Sequence, residues 1–215
     1  MTPEDQFWWN WWVSIAIALG TISAVLIALF GQAFRAKFFP PQLSLNVVHP
    51  EGEKTKVRLT WFEDGKQKER WEDARYYHVQ VQNNRRWSPA NQTQVFLMQV
   101  EEPGPDGGFQ TVWRGDIPLG WRHQEVFPPA RSIGPKADAD LCSVVKDKWL
   151  QLHPLVAPYN LNVQRREKSI LILSLQARSN EGDSSILRIQ IAWDGGWHDG
   201  SEEMKHHLTV NVIND

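Results

Sequence analysis

The sequence predicts a mainly β protein: a single N-terminal transmembrane helix followed by an antiparallel β-sandwich. Three features of the 215 residues carry that expectation. Residues 7–34 form an uncharged apolar run, apolar positions recur at every second residue beyond Pro40 and Pro41, and no long amphipathic helical pattern follows. The implied division is an N-terminal segment, residues 1–41, and a soluble domain, residues 42–215.

The helix comes first. Residues 11–30, WWVSIAIALGTISAVLIALF, amount to about 30 Å of helix, the thickness of a bilayer core. Thr2 suits the N-cap, Pro3 the first turn, and Glu4 and Asp5 the positive end of the helix dipole, whereas Pro40 and Pro41 stop the helix. Trp8, Trp9, Trp11 and Trp12 at one end read as an interfacial belt, and Arg35 and Lys37 at the other as residues that snorkel to head groups. The bilayer is therefore the first expected partner. A cleaved signal peptide would need a basic n-region and a small-residue cleavage site, and the residues before this run are acidic.

Flanking charge suggests orientation. No Lys or Arg precedes the apolar run, while Arg35 and Lys37 follow it directly and Lys54, Lys56 and Arg58 come soon after. Positive charge is retained in the cytoplasm, so the N-terminus is expected outside and the β domain inside. The opposite topology, an outward-facing domain binding an envelope or surface component, is the alternative. Ala16, Gly20, Ala24 and Ala28 form a stripe of small residues that suits close helix–helix approach, hence the expectation of a homodimer through this helix.

Composition narrows the function classes. A formal net charge of −2 is too balanced for a dedicated nucleic-acid binder, so no nucleic acid is expected. The single cysteine, Cys142, excludes an intrachain disulfide and a cysteine-based zinc site, and reads as a small buried thiol. The count of 12 tryptophans is high, and four of them sit in the helix-opening cluster.

Strands follow from alternation. Leu43, Leu45 and Val47, then Val57, Leu59 and Trp61, then Tyr77, Val79 and Val81 each alternate with polar neighbours. Further strands are expected at 93–100, 110–114, 169–177, 185–193 and 208–213. The last two should form a terminal hairpin whose connection, DGGWHDGSEEMKHH, reads as loop. Residues 140–152 suit a short helix or a strand equally. Residues 115–141, rich in Pro and Gly but punctuated by Trp121, Phe127 and Ile133, read as an ordered excursion at the sandwich edge.

The stretch YYHVQVQNNRRWSPANQTQVFLMQVEE, residues 76–102, resembles bacterial immunoglobulin-like domains of the CARDB kind. Val81 and Asn83 match the end of one strand in that pattern, and Ala90 and Asn91 the opening of the next. Arg85, Arg86 and Trp87 stand where the family usually has glycine, and the 115–141 excursion has no counterpart in it. The resemblance implies an immunoglobulin-like sandwich used for binding, and it carries over no catalytic residue.

Two constellations carry candidate chemistry. Arg85, Arg86 and Trp87 form a basic-aromatic loop suited to an acidic or phosphate-bearing partner through bidentate hydrogen bonds and cation–π contact, beside the plainer reading of a solvated loop with its tryptophan folded back. His198, Asp199, Glu203 and His206, with Asp194, Glu202 and His207 nearby, are residue types that ligate zinc, although their spacing matches no established motif. No phosphate loop, G-x-S-x-G or dinucleotide signature is present. The expected function is thus a non-enzymatic membrane-anchored module that recruits or senses a protein partner, without a cofactor. The rival is a membrane-anchored metal-dependent hydrolase built on the terminal cluster.

Overall fold

The computed structural model describes residues 2–122 and 130–213, with side chains omitted for residues 32–36. Arg35 as a side chain, and Phe127, therefore lie outside the described residues. The chain divides into two compact units, Met1–Pro40 and Pro41–Asp215, one residue from the boundary expected from sequence.

The first unit is one helix, α1 (Pro3–Phe38). Its start is capped reciprocally: Thr2 Oγ1 accepts from the Asp5 amide at 3.3 Å, and the Asp5 carboxylate accepts from the Thr2 amide at 2.9 Å. Pro3–Gly31 is long and apolar enough to cross a bilayer, with a mean hydropathy of 2.5 over its apolar window and none of that window buried against protein.

The second unit is built from β1 (Leu43–Glu63), β2 (Lys66–Asn83), β3 (Ala90–Pro103), β4 (Phe109–Pro118), β5 (Arg131–Ile133), β6 (Lys136–Val145), β7 (Trp149–Leu152), β8 (Gln164–Arg165), β9 (Ser169–Arg178), β10 (Leu187–Trp193), α2 (Ser201–His207) and β11 (Leu208–Ile213). Two antiparallel sheets result, ordered β1-β2-β6-β7-β8 and β11-β10-β9-β3-β4, with β5 on β3. Leu45, Tyr77, Val79 and Val81 from the first sheet and Val95, Leu97, Leu173, Leu175 and Ile191 from the second belong to one apolar core. Each such side chain contributes about 1.5–3 kcal/mol by leaving water. The arrangement is the sandwich expected from the alternation.

Several elements differ from expectation. The 43–47 and 57–61 strands are one strand, β1, continued through a bulge between Val48 and Glu53 where His49 and Gly52 take positive φ. Residues 140–152 are strand, because β6 pairs along β2 from Gln82↔Lys136 to Ala74↔Val145 and then turns back as β7. The terminal hairpin is present, with Ile191↔Val210 and Trp193↔Leu208. Its connection is not wholly loop, however, since residues 201–207 form α2, which buries Met204. Of the 115–141 excursion, Trp121 and Ile133 are buried, but its ends are not an edge excursion: residues 115–118 close β4 and residues 136–141 belong to β6, an inner strand of the first sheet because it pairs along β2.

Candidate functional site

A two-stranded ribbon is the most exposed feature of the β unit. The last rung between β2 and β6 is Ala74↔Val145, and beyond it, among the described residues, β1 and β2 pair only with each other as far as Glu63↔Lys66. The turn is Asp64–Gly65, both at positive φ (53° and 72°), which matches the twist of a tight hairpin. At the rise of a strand, the ribbon carries its tip about 30 Å past that rung. Cross-strand partners share a face, so the rungs Arg58↔Trp71 and Phe62↔Gln67 set Phe62 and Trp71 on one face. They are 76% and 63% exposed. Val57, Leu59 and Trp61 form a stripe on the other face. Ion pairs such as Lys68–Glu63 (2.6 Å) and Arg58–Glu69 (3.6 Å) decorate the ribbon and, being exposed, add little stability.

A polar cluster lies on the sheet face away from the core. Register sets Glu53, Tyr76 and Ser143 in one cross-strand row and His78 opposite Asp140 in the next, and bulges at Val48/Glu53 and Tyr77/His78 aim these side chains together. Glu53, Tyr76, His78 and Asp140 border a cavity of about 230 Å³ with Thr55, Lys56 and Arg122. His78, only 3% exposed, has Nδ1 at 2.9 Å from Asp140 Oδ1 and Nε2 at 3.9 Å from Glu53 Oε2. The first contact is close but poorly aligned, so it acts as charge proximity and leaves Nδ1 without a directed hydrogen bond. The Tyr76 ring stacks on His153 (5.1 Å between centroids), whose Nε2 is 2.8 Å from Ser143 Oγ. Burial lowers the His153 pKa, and burial with the nearby Asp140 charge raises that of Tyr76. Ser143 is buried, so this serine–histidine contact offers no accessible nucleophile. Arg122 closes the cluster by bonding Glu53 (2.6 Å) and approaching Asp138 (3.7 Å).

The terminal connection is an anchored loop. Buried Arg75 donates to the carbonyls of Gly52 (3.2 Å) and Asp199 (2.5 Å), tying β1 to residues 194–200. The Asp199 carboxylate takes a hydrogen bond from Lys54 at 2.7 Å and has Lys146 at 3.5 Å, and these cations hold its pKa down to about 2. His198 and Glu203 approach at 3.7 Å, Asp194 accepts from Gly196 and meets His207, and His206 borders, with Asp194 and His207, an open groove of about 1040 Å³ whose lining includes none of His198, Asp199 and Glu203. His198, Asp199, Glu203 and His206 are therefore not brought together. Among the described residues no three His, Cys, Asp or Glu side chains converge as metal ligands.

Arg85, Arg86 and Trp87 occupy the β2–β3 loop. Trp87 is 58% exposed rather than folded onto the core, with the Arg85 guanidinium 5.6 Å from its ring. Buried Asn83 shapes the loop by accepting from the Arg85 amide (3.0 Å) and donating to the Ser88 carbonyl (2.7 Å). Asn91 is held by Glu181 through its side chain (2.7 Å) and amide (2.8 Å). On α1, Trp8, Trp9, Trp11 and Trp12 are exposed, with edge-to-face contacts such as Trp11–Trp12 at 5.1 Å. Nothing crowds Gly20 in the stripe it shares with Ala16, Ala24 and Ala28, and Lys37 sits 6.0 Å from the Phe38 ring. Cys142 is buried, which raises its thiol pKa and makes it inert.

Sequence reasoning missed Phe62, Trp71 and the His78–Asp140 pair. The run KQKERWED, residues 66–73, has no apolar alternation to reveal a strand, and its only signal was its place between two apolar strands across Asp64–Gly65. His78 and Asp140 are 62 positions apart in sequence and meet only through strand pairing. No protein-family model matches the chain, and no curated protein matches it.

Proposed function

We propose that this chain is a membrane-anchored, non-enzymatic binding module: α1 seats it in a lipid bilayer, and the β unit recruits a protein partner at the membrane face. The observation that carries this reading is the ribbon face bearing Phe62 and Trp71. Large aromatics held in water on a rigid hairpin are what interface anchors look like before a partner covers them. Packing provides no other reason for them, since neither touches the core. The loop of Arg85, Arg86 and Trp87 supplies a second basic-aromatic contact on the same unit. Following the positive flank of α1, the β unit faces the cytoplasm.

Photo-crosslinking residues placed at Phe62 and Trp71 in the full chain, in native membranes, test the reading. A discrete protein adduct at both positions, absent when the probe replaces exposed Tyr159, is the expected result. Adducts to lipid alone would reassign the ribbon to the bilayer. Protease added to spheroplasts tests orientation, because digestion of the β unit while a cytosolic control survives would turn the domain outward.

A further inference from the structure

We infer that the ribbon is also a self-association surface, on which the outer edge of β1 pairs antiparallel with β1 of a second copy about a twofold axis at Leu59. This goes beyond partner recruitment and does not depend on it. β1 is the edge strand of its sheet, and among the described residues β2 is its one strand partner along the ribbon. Its outward amides and carbonyls thus form a row that another strand can complete.

Register decides what that strand is. A twofold axis perpendicular to an antiparallel sheet sets one residue opposite itself and residues on either side opposite each other in order. Centred on Leu59, Val57 of each copy faces Trp61 of the other, Arg58 faces Thr60, Lys56 faces Phe62, Thr55 faces Glu63, and Lys54 faces Asp64. No like charges meet, the basic start of the ribbon strand lies against the acidic end of its counterpart, and Val57, Leu59 and Trp61 join into one apolar stripe across both copies. Aromatic against β-branched and opposite charges across a rung are the favourable cross-strand pairs. An arginine or lysine centre on β1 fails, because Arg58 would face Arg58, or Lys56 would face Lys56.

The outer edge of β2 does not offer the same match. Registers centred on Lys68, Glu69 or Arg70 set each of those charges against itself. Centring on Trp71 drives Lys66 and Gln67 of the second copy toward the rungs that β6 already fills. The apolar stripe and the charge order single out β1. Such pairing leaves Phe62 and Trp71 of both copies on one face of a four-stranded ribbon, which makes the partner-recruiting surface bivalent.

Cysteine cross-linking of the full chain in nanodiscs tests the register, and the native Cys142 does not interfere because it is buried. Directly opposed residues have Cα atoms about 4.5–5.5 Å apart, within disulfide reach. Oxidised Leu59→Cys should form a covalent dimer. Val57→Cys and Trp61→Cys should cross-link only when the two variants are mixed, and Arg70→Cys, on β2 away from the β1 edge, should form no covalent dimer. Leu59→Lys, which sets two ammonium groups on the axis, should abolish the dimer while circular dichroism stays unchanged. Cross-linking by Arg70→Cys equal to that by Leu59→Cys would overturn the register. An undiminished dimer in Leu59→Lys would place association elsewhere, in α1 above all.

Discussion

His78 and Asp140 face each other across the β2–β6 pair one rung beyond a bulge, with imidazole Nδ1 2.9 Å from the carboxylate and the ring sealed from solvent. The bulge is what brings them together, because without it the rungs from His78 onward would oppose different residues. Asp140→Asn removes the charge beside this buried ring without breaking a directed hydrogen bond and should cost about 1 kcal/mol or less, read as a lower urea midpoint with an unchanged slope. An unchanged midpoint would mean that the contact contributes nothing to stability.

His153 gives a pH dependence with a definite sign. Burial depresses its folded-state pKa below 6.5, so the folded form prefers the neutral ring. That contribution is full above the unfolded pKa and is lost as pH falls below it, because the unfolded chain then binds the proton more readily. Melting temperature should therefore decline on acidification from about pH 6.5, and His153→Gln should flatten that part of the profile.

Arg75 is a buried cation whose terminal NH groups donate to the carbonyls of Gly52 and Asp199 and to Ser201 Oγ. Arg75→Ala releases the connection between β10 and β11 and leaves those carbonyls without their partner. A loss of about 2–6 kcal/mol is expected from the two orphaned carbonyls, with new protease cleavage in residues 194–200. Asp199→Asn, which affects only exposed ion pairs, should be nearly silent.

Leu173→Ala opens a cavity in the core and should cost about 2–5 kcal/mol. Phe62→Ala and Trp71→Ala touch no core and should stay within about 0.5 kcal/mol of the parent by thermal melt. If the two ribbon variants nevertheless lose the photo-crosslinked partner, the aromatics serve binding rather than folding. A large stability loss from either would assign them a packing role instead.

What the sequence determined by itself was whatever depends on periodicity along one segment. The span at residues 11–30, the proline stop and the alternation of Tyr77, Val79 and Val81 are each readable locally, because hydrophobicity sorts side chains between lipid, core and water with a period set by the backbone. The terminal hairpin was legible for the same reason. Residues 66–73 were not, since a strand exposed on both faces carries no apolar alternation; β1 holds them in place through main-chain bonds that any sequence can make. The grouping of Glu53, Tyr76, His78 and Asp140, and the scattering of His198, Asp199, Glu203 and His206 among separate partners, were decided by the tertiary structure alone. Strand register and bulges set which distant side chains share a face, and Arg75 and Lys54 draw the terminal loop onto β1, so composition alone could not assign those residues their neighbours.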